Sequence, residues 1–264
     1  MTYILTRTGL ALALLLSSTV LAAAEPFIFS PEAVGLNGTE FTADTLVLSD
    51  FAQITFSNGG TSFVDSGILP IIGFTLNGAA VAPPGYGAVD GWGAFVRYVG
   101  NGTQTYLAPG VPETAMFEQV SYELIGYNGV ATFGFAPDGS AAVGGAISNV
   151  LTLGQGSLIT GNLDFVPDPT GLTIVGTVST TIVEVEPEFI RGQPDRFDIT
   201  LLHPPNEYSF SSPTTLQIAG GASSRAVLRT TSMTKVPEPA SLALLGAALV
   251  AAGLLRRRIS RSET

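Results

Sequence analysis

The chain contains no cysteine among its 264 residues. Disulfides, thiolate zinc sites, iron–sulfur clusters and cysteine nucleophiles are therefore excluded, and stability has to come from packing. Histidine occurs once, in Leu201-Leu202-His203-Pro204-Pro205. A Ser-His-Asp triad would have to run through that side chain, and no G-x-S-x-G turn is present to offer it a serine. A strand-end histidine before a proline turn is the plainer reading. Positive charge is scarce as well: from Glu25 to Lys235 there are 19 acidic and 6 basic side chains, a net charge of −13. A surface of that sign repels a phosphate backbone, which excludes nucleic acid as a partner and makes anionic membrane a poor docking site for the body. Divalent cations and neutral polysaccharide are compatible with it.

Other absences narrow the chemistry further. The run Val143-Gly144-Gly145-Ala146 has no following Lys-Ser/Thr, so it reads as a loop and not as a phosphate cradle. Asp164, Asp168, Asp195 and Asp198 flank loops without the D-x-D-x-D-G spacing of a dedicated calcium site. There is no fixed repeat period, which argues against a solenoid or propeller.

What is abundant is glycine, at 31 residues, with 17 prolines and short runs of β-branched and aromatic residues. This is the composition of many strands joined by tight turns. The expected fold is all-β, a β-sandwich or jelly-roll-like body, with helix confined to an N-terminal signal peptide and a C-terminal transmembrane segment. Strands are expected at Phe27 to Phe29, Thr45 to Phe56, Ile68 to Leu76, Met116 to Ile125, Leu158 to Phe165 and Leu172 to Val185. Further short strands are expected at Ile199 to Leu202, Tyr208 to Phe210, Leu216 to Ile218 and Ala226 to Thr231. Asn77-Gly78, Asn101-Gly102, Asn128-Gly129 and Pro137-Asp138-Gly139 are the expected turns. Asn37-Gly38-Thr39 and Asn101-Gly102-Thr103 match the N-glycosylation pattern but are more economically turns.

Residues 1–24 read as a secretory signal peptide: Arg7 supplies the positive start, Leu10 to Leu16 the apolar centre, and Ala22 and Ala24 the small-residue cleavage site before Glu25-Pro26. An uncleaved anchor helix is the competing reading. The β-rich extracytoplasmic body is expected over 25–222 and a linker over 223–235. A terminal signal follows over 236–258 and a cytoplasmic tail over 259–264. Pro237 and Pro239 disfavour helix before Ala240, whereas Pro239 is tolerated at a helix start. Ala240 to Leu255 would form a helix of roughly 24 Å at 1.5 Å per residue, short against a hydrocarbon core of about 30 Å. Arg256, Arg257 and Arg258 would stop it on the cytoplasmic side. A buried core helix is the alternative, and it leaves the Pro-Glu-Pro start and the arginine stop to coincidence.

Val236-Pro237-Glu238-Pro239-Ala240-Ser241, the apolar run Leu242 to Leu255 and Arg256 to Arg258 together resemble a PEP-CTERM sorting domain. In that family the signal is read by an exosortase, a membrane-embedded cysteine protease-transpeptidase of Gram-negative bacteria that make extracellular polysaccharide. The resemblance implies that Pro237, Glu238 and Pro239 are the recognition element, that 240–255 holds the precursor transiently in the inner membrane, and that Arg256 to Arg258 are the stop. The mature form would then lie at the cell surface or in the extracellular matrix. The body is similar, through Pro26-Phe27, Ala33 to Leu36 and Glu40 to Asp44, to flocculation-associated PEP-CTERM proteins, which implies a non-enzymatic role in exopolysaccharide association, flocculation or biofilm.

Within the body, two sets of residues are candidates for binding. Trp92, flanked by glycines, could lay its flat face on a sugar ring; a core plug where a strand begins is the favoured alternative. Glu184 and Glu186, on one face of a strand, could hold Ca²⁺, although such pairs are more often a solvated strand face. No catalytic residue and no cofactor is expected, Ca²⁺ being the one ion these carboxylates leave open. The alternative function is a calcium-dependent carbohydrate-binding protein or carbohydrate-active enzyme. A third is a structural protein that self-associates through strand edges.

Overall fold

From Leu46 to Phe56 every second residue is apolar apart from Asp50, and in the folded chain that stripe faces inward: Leu46, Leu48, Ala52 and Ile54 are buried. The computed structural model describes residues 26–230 apart from 109, 110 and 170. The signal peptide over 1–24, with Ala22 and Ala24, and the sorting signal over 236–258, with its transmembrane helix, lie outside the described residues. So does the tail over 259–264.

Among the described residues there are thirteen strands: β1 (Phe27–Phe29), β2 (Phe41–Ala43), β3 (Thr45–Ser57), β4 (Ser62–Leu76), β5 (Ala79–Val81), β6 (Trp92–Ala108), β7 (Val111–Phe135), β8 (Ala141–Asp168), β9 (Gly171–Val185), β10 (Ile190–Arg191), β11 (Arg196–His203), β12 (Tyr208–Ser212) and β13 (Thr215–Arg229). Three short 3-10 turns, Pro31–Val34, Asn58–Gly60 and Pro205–Glu207, connect some of them.

The all-β expectation holds, but the strand arrangement is neither sandwich nor jelly roll. Strands β3, β4, β6, β7, β8, β9, β11 and β13 pair in sequence order, every pair antiparallel. β11 then pairs β13, and β13 pairs β3, so the sheet closes on itself as an eight-stranded up-and-down barrel. Short antiparallel strands cannot reveal from sequence alone whether a sheet closes, because alternation is the same in a sandwich face and a barrel wall.

The interior is filled and mostly apolar, apart from polar residues such as Asp50, Asp65 and His203, whereas the outer face mixes Gln155, Ser157, Thr177, Ser179, Asp198 and Arg225 with scattered exposed residues such as Val64, Val99 and Val183. That polarity suits a barrel in water and is the reverse of a water-filled membrane barrel. Tight curling is achieved by pairing large residues against glycine. Gly67 faces Tyr98, Gly156 faces Tyr122 and Gly93 faces Tyr127 directly across strand pairs. A Cβ at Gly67 would come within 2.8 Å of the Tyr98 ring and of the Phe51 carbonyl.

The barrel's two ends differ. At one, the three-stranded sheet β10-β1-β2 lays Phe27, Phe29, Phe41 and Ile190 over the opening, with Trp92, Phe74 and Phe189 beneath. At the other, the β3–β4 turn, Tyr106 and β12 form an open mouth. The outer halves of β7 and β8 continue past the barrel and fold back on its wall, where Ala131, Phe133 and Val143 cover Ile68, Phe95 and Tyr127. The hairpin tip reaches β13, with the Gln217 amide donating to the Gly139 carbonyl at 3.1 Å.

Asn77-Gly78 and Pro137-Asp138-Gly139 turn as expected. Asn101-Gly102 and Asn128-Gly129 do not: they lie inside β6 and β7 at register shifts, where the extra residue bends a long strand. The Asn128 amide is held there by Asn37 and Gly35. Val143 to Ala146 is likewise strand, not loop. The linker expected over 223–235 is corrected at its start, because β13 continues to Arg229 and buries Ser224, Ala226 and Leu228 as the closing strand. The strand expected at Ala226 to Thr231 is present as the end of β13, and it, not the linker, describes residues up to Arg229.

Replacing Gly67 by valine should cost about 1–3 kcal/mol in urea unfolding, since backbone and a packed ring oppose the new atoms. Gly134→Ala, where nothing lies within 4 Å of the added carbon, should be neutral or stabilise by up to about 1 kcal/mol.

Candidate functional site

An acid in phase with an apolar stripe is carried into the barrel with it. Alternation places Asp50 of β3, Asp65 of β4 and Tyr98 of β6 inside, and β11 ends with His203 pointing to the same region. Asp50, Asp65 and His203 are 1%, 4% and 2% exposed. His203 Nε2 lies 3.2 Å from Asp50 Oδ2, and Nδ1 lies 3.5 Å from Glu207 Oε2 on the 3-10 turn that follows. Both are ion-pair separations without hydrogen-bond alignment, and Asp50 Oδ1 has no partner. Gly221 of β13, at φ +90°, leaves the space that the Glu207 carboxylate occupies. The Tyr98 hydroxyl donates to Asp65 Oδ1 at 3.2 Å.

Two buried carboxyl groups, Asp50 and Asp65, beside one buried imidazole cannot all ionise cheaply. Burial, and then repulsion from Asp50, push Asp65 up to about 8. Burial likewise raises Asp50, against the opposing pull of His203. Burial lowers the His203 pKa, but the Asp50 and Glu207 carboxylates outweigh it and the net shift is upward. The cluster therefore holds more protons than the same groups in water. Chemically, the ring is buried with a carboxylate facing each nitrogen, so it is placed for charge pairing inside the barrel and not for contact with a ligand in solvent. The plain strand-end reading of His203 was right about its position and missed its partners. The legible signal was the acid itself, in register with Leu46, Leu48, Ala52 and Ile54.

Above this cluster the open mouth forms a cavity of about 490 Å³. Its wall and floor share Phe56, Gln104, Phe165, Ile174 and Leu216 with the chamber that holds the acids. Two of its side chains project from one face of β12: Tyr208, and Phe210, which is 63% exposed. Tyr106 stands opposite on β6, its hydroxyl donating to the Gly60 carbonyl at 2.9 Å and accepting from Gln104 Nε2 at 2.7 Å. Gln104 Oε1 is buried with no partner.

The residues singled out from sequence lie elsewhere. Trp92 is fully buried at the closed end, 4.8 Å from the Tyr86 ring and 6.0 Å from Phe41, with its Nε1–H donating to the Pro84 carbonyl. It cannot meet a sugar, and the core-plug alternative is correct. Its flanking glycines serve packing: Gly93 sits against the Tyr127 ring. Glu184 is exposed near the end of β9 and accepts from Gln155 Nε2 at 2.7 Å. Glu186 lies beyond the strand, in the turn that bonds back from Phe189 and Ile190, so the two do not share a strand face. Among the described residues no group of three or more His, Cys, Asp or Glu side chains is placed to hold a metal ion. Pro237, Glu238, Pro239 and Arg256 to Arg258 lie outside the described residues.

Fold and cavity define an all-β protein built on a closed barrel with one open mouth among the described residues. Residues 235–258 match the PEP-CTERM protein-sorting motif, so the chain carries a PEP-CTERM sorting signal, in agreement with the resemblance of Pro237-Glu238-Pro239 and its arginine stop. That motif implies an exported protein made as a membrane-anchored precursor and processed by an exosortase. No curated protein and no solved structure matches the chain.

Stability should fall as pH rises from about 4 to 8. Asp65 keeps its proton in the folded state up to about 8 and loses it near 3.8 when unfolded, and each proton so retained contributes a slope of about 1.4 kcal/mol per pH unit. His203, raised above 6.5, adds stability that is complete below that value and lost as pH rises through its folded pKa. Urea midpoints measured from pH 5 to 9 should decline, and Asp65→Asn should flatten the decline and raise the midpoint at pH 8. A midpoint that climbs with pH over this range would contradict the assignment.

Proposed function

We propose that this protein is a non-enzymatic component of the cell surface or extracellular matrix, delivered by exosortase processing, whose barrel associates with extracellular polysaccharide in flocs or biofilm. The observation that carries the reading is the PEP-CTERM motif at residues 235–258. A body of net charge −13 without cysteine supports it, because such a domain needs no oxidative folding and stays soluble among polysaccharide chains. The His203 geometry supports the non-enzymatic part, since the side chain is 2% exposed and each nitrogen faces a carboxylate. Nucleic acid is not a partner in this reading, and calcium is not required by it.

The experiment compares cells with and without the exosortase. With the enzyme, the protein should appear in the surface or matrix fraction, and mass spectrometry of its C-terminus should show that Ala240 to Arg258 has been removed. Without it, the full tail should persist and the protein should stay in the inner-membrane fraction. A tail retained in both strains sinks the proposal.

A further inference from the structure

We propose that Asn77 is a site of spontaneous covalent modification, in which the main-chain nitrogen of Gly78 displaces the Asn77 side-chain amide and water then leaves an aspartate or isoaspartate at position 77. The reaction needs only water as co-reactant, so it does not rest on the function proposed above.

Five Asn-Gly pairs occur in the chain, at Asn37, Asn58, Asn77, Asn101 and Asn128. As dipeptides they are equivalent, because in each the glycine offers its nitrogen with no side chain to shield it. The fold makes them unequal. The Gly38 N–H donates to the Leu36 carbonyl at 2.9 Å, and Gly38 lies against the Trp92 ring. Asn101 sits within β6, paired with Val64 on one side and Gln119 on the other, and Gly102 is buried. Asn128 is 9% exposed, its side-chain amide is held by Asn37 and Gly35, and the Gly129 N–H donates to the Gly91 carbonyl at 2.9 Å. In these three pairs hydrogen bonds or strand pairing fix the backbone or the amide, and reaction waits on local opening.

Asn77 and Gly78 are both exposed and join β4 to β5, with Leu76 paired to Ala79. Their φ angles of 53° and 79° are those of a two-residue type I′ turn. Among the described residues nothing bonds the Asn77 side chain or the Gly78 N–H, and beyond its chain neighbours no atom lies within 4 Å of where a Cβ on Gly78 would be. The one tether is the Asn77 main-chain N–H, which donates to Asp44 Oδ2 at 2.6 Å. Asn58 comes second: it is exposed in the β3–β4 turn, but its side-chain amide donates to Ser62 Oγ at 3.0 Å and its main-chain carbonyl accepts from Thr61 Oγ1 at 2.9 Å.

The chemistry balances without oxidant or reductant. A bond forms between Gly78 N and Asn77 Cγ, the Gly78 N–H proton passes through solvent to the departing nitrogen, and ammonia leaves as the succinimide ring closes. Water then adds to either ring carbonyl. One opening gives aspartate, and the other routes the main chain through the former side chain and gives isoaspartate. Either product sets a new carboxylate beside Asp44, and isoaspartate also lengthens the turn. Strand β5 is three residues long and pairs only with β4, so the strained turn acts on a weakly held element.

The test incubates the full-length chain in detergent at mildly alkaline pH, folded and in urea, and follows the peptides that hold the Asn-Gly pairs by mass spectrometry, with isoaspartate scored by enzymatic methylation. In the folded chain Asn77 should convert at least about tenfold faster than Asn101 or Asn128, the factor that about 1.4 kcal/mol of opening cost imposes on a protected site. In urea, where only the flanking residues differ, the rates should converge. Asn77→Gln, whose longer side chain closes a less favourable ring, should abolish conversion at position 77 and leave the rate at Asn58 unchanged. Conversion of Asn101 or Asn128 as fast as Asn77 in the folded chain would overturn the proposal. So would an Asn77 amide that stays intact in the folded chain over the time in which the urea sample converts.

Discussion

The pairing of β11 with β13 is the contact on which this structure depends, because it converts an eight-strand meander into a closed wall. Five residue pairs, from Arg196 opposite Arg229 to Thr200 opposite Arg225, make the seam. Two arginines directly across an antiparallel pair would repel. Asp198 sits between them, 2.7 Å from Arg196 Nε and 2.9 Å from Arg229 Nε, and neutralises the clash. Closure satisfies the backbone of every barrel strand on both sides, which matters in a chain that has no disulfide to hold it. The strand edges left are short or peripheral, such as β5, β12 and the outer hairpin, and self-association through them has little backbone to use.

Closure also sets the electrostatics. Once the wall is complete and the β10-β1-β2 sheet covers one end, Asp50, Asp65 and His203 are buried together; the raised proton affinity of the two acids follows from that burial first, and that of His203 from the carboxylates beside it. Such a cluster costs stability in neutral solution relative to an apolar filling. It lies directly under the only end of the barrel left open among the described residues, and the layer between them, Phe56, Gln104, Phe165, Ile174 and Leu216, serves both. The mouth is thus built from the same alternation that packs the core: two residues further along a strand, as from Ile54 to Phe56 or Gln104 to Tyr106, the inward side chains line the cavity.

Long strands explain the other departures from simple reading. β7 and β8 span 25 and 28 residues, far beyond barrel height, and are bent by bulges at Asn128 and near Gly126 so that their outer halves double back. Asn-Gly, a hairpin signal in short segments, here marks a bend within one strand, because Asn128 is pinned by Asn37 and Gly35 from a distant part of the chain. The local residues are compatible with either outcome, and the long-range hydrogen bonds decide between them.

Composition and local pattern by themselves determined the strand-rich class, the positions of β1, β3 and β9, the acidic cysteine-free surface and the sorting signal around Pro237-Glu238-Pro239. These depend on side-chain chemistry and on period, which are properties of contiguous residues. Tertiary structure decided that the sheet closes, that Trp92 is a plug and not a platform, that Glu186 leaves the strand of Glu184, and that residues 223–229 are wall and not linker. It also brought Asp50, Asp65, Tyr98 and His203 together from four strands, and Gln104, Tyr106, Tyr208 and Phe210 to one mouth. Each of those outcomes depends on which strand lies beside which. Strand order is fixed by pairing and closure energies summed over the whole sheet, and no window of the chain contains them.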